Sequence, residues 1–280
     1  MDLIASILAG LNRIMNAASG LAFAPVAVVP GWLSITVVSA VLGVFFLLIF
    51  KYTSNQKAIG RVRDEVNANL IAAWLFKDSI SVTIKSQLKV FLASFKLLYY
   101  AIIPMLVMII PMCLILAQMG LWYQVRPLNL QDTPVLVKLR LNDQLNNFPE
   151  VIVKPSDFFK KTDGPLKLVS KKEVLWQIQP TKKGLHELIF EIEGNAYKKQ
   201  FAVGDGLMRV SLKRPGNSLG DLLLHPLEKP FMKDSPVSSI EIVYPERDSK
   251  ICGTDWWIVY FFICSMVFAF AVKPFFKVRI

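Results

Sequence analysis

Histidine and cysteine are scarce in this chain. Two histidines, His186 and His225, and three cysteines, Cys113, Cys252 and Cys264, are all that 280 residues supply. Neither histidine has a cysteine or carboxylate at ligand spacing, so no metal site is expected. Cys113 and Cys264 fall inside apolar runs, which leaves Cys252 alone outside them and excludes a disulfide within the domain between those runs. Also missing are the G-x-S-x-G, H-E-x-x-H, P-loop and G-x-G-x-x-G patterns that would bring a nucleophile, a zinc, a phosphate or a dinucleotide. Neither an enzyme nor a cofactor is expected. Charge is missing locally: residues 31 to 50, 97 to 123 and 256 to 272 contain no Asp, Glu, Lys or Arg.

Those uncharged stretches are what the chain has in quantity. Hydrophobic residues make up 54% of it, more than one soluble core of this size needs, and each stretch is near the roughly 20 residues that a bilayer crossing requires. Trp32, Trp122, Tyr123, Trp256 and Trp257 stand at their ends, where amphipathic rings favour the headgroup layer. The expected class is a membrane α-helical protein of three transmembrane helices carrying an all-β domain. Residues 1 to 30 precede the first span (31 to 50). A connector (51 to 96), the second span (97 to 123), an outer domain (124 to 255), the third span (256 to 272) and a basic tail (273 to 280) follow.

Orientation follows from basic residues in the short segments. The connector carries Lys51, Lys57, Arg61, Arg63, Lys77, Lys85, Lys89 and Lys96, the tail adds Lys273, Lys277 and Arg279, and the first thirty residues hold only Arg13. The N-terminus is therefore expected outside, the connector and tail in the cytoplasm, and the β domain in the periplasm or outside a bacterial cytoplasmic membrane. The net charge of +11 is spread over these blocks, so no nucleic acid is expected as a partner. The apolar run "LIASILAGL" has Asp2 instead of a cation before it, and Pro25 would directly follow a cut after "AFA", so cleavage as a signal peptide is not expected. Leu3, Ile7, Leu11, Ile14 and Met15 recur at roughly helical spacing, which predicts an interfacial helix on the outer leaflet.

Period-2 alternation in "VLVKLRL" (135 to 141) predicts a strand, as do "LKLV", "VLWQIQ", "ELIFEIE", "YKKQFAV", "LMRVSL" and "SSIEIVY". The turn signals "TDGP", "TKKG", "EGNA" and "RPGN" lie between them. About seven short strands at this spacing suggest an immunoglobulin-like sandwich, with Trp176 in its core. "LGDLLLHPLEKP" (219 to 230) interrupts the pattern and reads either as a short helix or as an exposed ridge of Leu222, Leu223 and Leu224 that would meet a partner.

The connector reads as a helical hairpin. Ser54 is a candidate cap for a helix in which Ile59, Val62, Val66, Leu70 and Ala73 recur at helical steps. Asp78 or Ser79 offers a second cap, after which Ile80, Ile84, Leu88, Phe91 and Phe95 repeat the pattern into the second span. The apolar stripes can pack on each other, the basic faces can lie on anionic headgroups, or both can hold.

Pro104 and Pro111, two turns apart on one face of the second span, each remove a backbone hydrogen bond. Freed carbonyls are costly in lipid, so that face is expected to look toward other helices or a wet cavity. Gln118 extends the line outward and Ser94 extends it approximately toward the cytoplasm.

Three spans, N-out, with a basic cytoplasmic hairpin before a proline-bearing "AIIPMLVMIIPMCLI" span, resemble the minimal core of the YidC/Oxa superfamily of membrane-protein insertases. The likeness is one of arrangement and covers residues 31 to 123 and 256 to 280. Those insertases usually present a cation in a groove open to the cytoplasm, whereas no Lys or Arg lies within a span here. The resemblance implies a mechanism without covalent chemistry. Lys57, Arg61, Arg63, Lys77, Lys85 and Lys89 on the hairpin would contact lipid or a nascent membrane protein. Pro104, Pro111, Gln118 and Ser94 would line a partly hydrated depression that eases hydrophobic segments into the bilayer. The alternative is a membrane-anchored scaffold or accessory subunit of an envelope protein complex, whose outer β domain binds a partner.

Overall fold

The computed structural model describes residues 3 to 25, 28 to 77, 79 to 143, 145, 148 to 247, 256 to 276 and 278. Asp2, the cap candidate Asp78, Cys252, and the tail cations Lys277 and Arg279 lie outside the described residues. The chain divides into two compact units, Met1–Ile35 with Cys113–Trp257 and Thr36–Met112 with Ile258–Ile280.

The first unit opens with helix α1 (Leu3–Phe23). After it, α2 (Gly31–Thr53), α3 (Gln56–Leu75) and α4 (Ile80–Tyr123) follow in order. Three helices are long and apolar enough to cross a membrane: α2, α4 and one near the C-terminus, Trp257–Phe276. α4 stays unbroken for 44 residues through both Pro104 and Pro111. At 1.5 Å per residue it extends about 66 Å, twice a hydrocarbon core of about 30 Å, so only part of it can lie in one bilayer. The second arm of the expected hairpin and the second span are thus one helix. The cap of α3 is Asn55, whose side chain accepts from the Ala58 amide at 3.0 Å; the expected cap, Ser54, instead accepts from the Gln56 side chain.

In the second unit the usual placement of side chains is reversed. Ser39, Ser86, Ala93 and Pro104 are buried, while Val41, Phe45, Ile102, Leu106 and Ile110 point outward. Gly43 shows why small residues are inside: a Cβ there would run into the Ser265 carbonyl oxygen. Helices in lipid gain from this close approach because large side chains lose nothing by facing acyl chains.

The β domain supplies the rest of the first unit. Its strands are β1 (Val135–Leu141), β2 (Val151–Val153), β3 (Phe159–Leu168), β4 (Glu173–Pro180), β5 (Gly184–Ile192), β6 (Asn195–Val203), β7 (Lys213–Arg214) and β8 (Val237–Ile242). They form two antiparallel sheets, ordered β3-β4-β1-β8-β7 and β2-β5-β6. One buried cluster draws Val137, Leu139, Trp176 and Ile240 from the first and Phe190, Ile192 and Phe201 from the second. The alternation in β1 is carried through: Val135, Val137, Leu139 and Leu141 are buried in turn.

Some expected boundaries are corrected. "TDGP" does not end a strand; it lies inside β3, where the register against β4 shifts on both sides of Asp163. "LMRVSL" is no strand of the sheets: Val210 N bonds to Leu121 O at 2.9 Å, and the stretch meets β8 at its last residue, where Leu212 O accepts from the Ile242 amide at 2.9 Å. "EGNA" does turn the chain: Glu193 and Gly194 both take positive φ, 49° and 78°, the conformation that a two-residue hairpin between β5 and β6 requires. The stretch 219 to 230 begins as a short helix, α5 (Leu219–Leu224), capped by Ser218. The final helix is α6 (Trp257–Phe276).

Candidate functional site

Within the second unit a groove of about 400 Å³ lies among α2, α4 and α6. Its lining includes Phe46 and Phe50 from α2, Met108 and Met112 from α4, and Phe262 and Met266 from α6. Met108 and Met112, four residues apart, share the face of α4 that lines the groove, whereas Pro104 and Pro111, which were expected to line it, are not among the lining residues. Pro104 is buried and Pro111 half-buried, and Val107 is 47% exposed. Without a proline N–H, the carbonyls of Tyr100 and Val107 lose their helical donors. α2 and α6 are joined near one end of the groove's helices by a 2.7 Å hydrogen bond between the Thr36 and Tyr260 hydroxyls.

The expected hydrated line of 94, 104, 111 and 118 is divided. Ser94 is exposed and its hydroxyl donates back to Val90 O at 2.9 Å. Gln118 belongs to the first unit and is only 2% exposed. There its Oε1 accepts from Ser19 Oγ at 2.7 Å and its Nε2 donates to Asn16 Oδ1 at 2.8 Å. A buried amide with both ends satisfied holds α1 against the end of α4, and the stacked rings of Phe23 and Trp122, 5.6 Å apart, continue that contact.

The hairpin places all six predicted basic contacts, Lys57, Arg61, Arg63, Lys77, Lys85 and Lys89, at the surface. Its apolar stripes are only partly covered. Ile59 and Val62 are buried, but Leu70, Ile80, Ile84, Leu88, Phe91 and Phe95 are exposed, as is Trp74, 77% exposed near the bend. Lys96 of α4 and Glu65 of α3 stand 3.5 Å apart, an ion pair too exposed to hold the arms together by itself.

The expected leucine ridge is broken up. Leu222 is buried, Leu223 half-buried and Leu224 64% exposed. α1 takes up the inner side: Asn12 Nδ2 donates to Leu222 O at 2.6 Å and Asn16 Nδ2 to Pro226 O at 2.7 Å. Asn12, Asn16 and Ser19 recur at four and three residues, a polar stripe within an apolar helix that marks the docking face.

A buried charge pair is the other arrangement that sequence reading missed. Lys199 is fully buried in β6, and its Nζ donates to Ser211 O at 2.7 Å, to Ser211 Oγ at 3.1 Å and to Glu228. Glu228 also accepts from the Gln200 amide at 3.1 Å and from the Ser211 hydroxyl. Burial pushes the Lys199 ammonium below the ordinary lysine value, opposed by the Glu228 carboxylate. With the Ser211 and Gln200 carbonyls, a hydroxyl and a carboxylate around it, the ammonium is a structural donor that ties β6 to the 211 and 228 segments. In the sequence Lys199 is one of two adjacent lysines and carries no mark of burial.

No family model, curated protein or solved structure matches the chain. Its function is therefore argued from this geometry alone.

Proposed function

We propose that this protein is an insertase of the YidC/Oxa type, easing hydrophobic segments into a bacterial cytoplasmic membrane. The observation that carries this reading is the methionine- and phenylalanine-lined groove among α2, α4 and α6. Methionine is unbranched and polarizable, so such a wall adapts to segments of differing shape. The exposed apolar stripe from Ile80 to Phe95, with Lys85 and Lys89 on a separate face, suits capture of an apolar segment beside anionic headgroups. In this reading the N-terminus and the β domain, an immunoglobulin-like sandwich, lie outside, and the hairpin lies in the cytoplasm.

Photocrosslinkers at 108, 112 and 266, with Val107 as the outward control, test the groove in cells making a membrane-protein client. Adducts to the client from the three groove positions and not from 107 are expected. Adducts only to this protein's own helices would sink the reading.

The second reading, a scaffold whose β domain binds an envelope partner, has one observation in its favour: Leu166 and Val169 are exposed at and just beyond the end of the edge strand β3. Full function after replacement of residues 129 to 246 by a short linker would exclude it.

A further inference from the structure

The first unit contains a cavity of about 570 Å³ between α1 and the segment from Leu222 to Met232, within the range of small-ligand sites. Most of its wall is apolar, with Leu222, Pro226, Leu227 and Phe231 contributing. Two exposed cations, Arg13 and Lys229, stand at it, and among the described residues neither has a carboxylate partner. The carboxylate in the lining, Glu228, is already neutralised by Lys199. The cavity therefore presents uncompensated positive charge over an apolar floor.

The outer face of α1 narrows the occupant: Ile7, Ile14 and Leu21 point outward at seven-residue steps. Beyond Asn12, Ser19 at about 10 Å and Phe23 at about 16 Å along the helix pack on the aromatic end of α4. An exposed apolar stripe and an aromatic belt at that distance suit the lipid interface.

We propose that this cavity binds the headgroup of an anionic phospholipid, with the phosphate at Arg13 and Lys229 and the acyl chains along the outward stripe of α1. It is a binding site separate from the groove of the second unit, and it stands whether or not that groove receives clients.

The test uses the full chain, delipidated in neutral detergent, with dioctanoylphosphatidylglycerol, dioctanoylphosphatidic acid, dioctanoylphosphatidylcholine and inorganic phosphate as probes. Binding is read by native mass spectrometry and by amide exchange in residues 8 to 16 and 225 to 232. Phosphatidylglycerol and phosphatidic acid should both bind, and that binding is expected to slow exchange in both segments. Arg13→Gln with Lys229→Gln, both surface changes, should weaken it about tenfold or more while leaving the thermal midpoint of the lipid-free protein unchanged. Equal binding of phosphatidylcholine, or unaltered affinity in the double variant, would overturn the site. Inorganic phosphate protecting both segments as well as the lipids do would overturn the lipid assignment.

Discussion

The two units use similar apolar side chains in opposite ways. In the β domain Trp176, Phe190 and Phe201 are inside and lysines cover the surface, the arrangement that water enforces. In the helical unit Phe45, Leu106 and Ile110 are outside, and serine, glycine, alanine and proline fill the contacts. The difference shows what each region treats as its solvent. It also isolates Ile80 to Phe95 as an exception. That stretch wears an outward apolar stripe like the spans, yet Lys85, Lys89 and Lys96 share its helix, which suits a boundary between lipid and water.

The sharpest way to break the comparison is to disturb charge in the water-type core. Glu228→Gln leaves the Lys199 ammonium buried without its counter-charge, and a loss of about 3–5 kcal/mol is expected for the β domain. Thermal unfolding of the full chain followed by tryptophan fluorescence measures it. Lys199→Met combined with Glu228→Leu should recover most of that loss, because a buried pair replaced by apolar groups is often neutral. If the single and double variants are equally unstable, the pair is not what holds these segments.

A smaller effect is expected from the lipid-type core. Gly43→Ala adds a single methyl where the Ser265 carbonyl lies, and it should cost about 1–3 kcal/mol by overpacking. The half-buried thiol of Cys264, in the same unit and next to Ser265, is the reporter, since a loosened unit should react faster with a membrane-permeant maleimide. An unchanged labelling rate would mean that α2 and α6 are not held by this approach.

The smallest effect lies on the surface of the β domain. Arg126 grips Asp132 through two hydrogen bonds of 2.8 Å, and with the Asn129 amide they hold the carboxyl below the ordinary aspartate value against a raising effect of partial burial. A carboxylate depressed in the folded state contributes stability that is full above its unfolded value and is lost as pH falls through the folded one. Asp132→Asn should therefore cost about 1 kcal/mol at neutral pH and nothing once the native carboxyl is protonated. A cost independent of pH would assign the loss to the Asn129 turn alone.

The helices and most strands were legible in the sequence because their patterns are local. Uncharged runs mark the spans, and alternation in "VLVKLRL" marks β1 together with its buried face. What escaped depends on distant partners. "LMRVSL" alternates well enough for a strand but reaches a ladder at its last residue, Leu212, and "TDGP" looks like a turn until β4 extends alongside it. In the candidate site, Pro104 and Pro111 share one face as their spacing requires. Gln118 has the same spacing, yet α1 claims it, and only the Asn12, Asn16 and Ser19 stripe carried any sign of that.

That stripe also has a consequence for the order in which the protein is made. Ser19 finds its partner Gln118 only 99 residues later, and Asn12 and Asn16 find Leu222 and Pro226 only after 210. α1 is thus made long before the residues that fix its final place. Until the β domain is complete its amides have only water or headgroups to bond, so docking of α1 reports that residues 118 to 226 have folded.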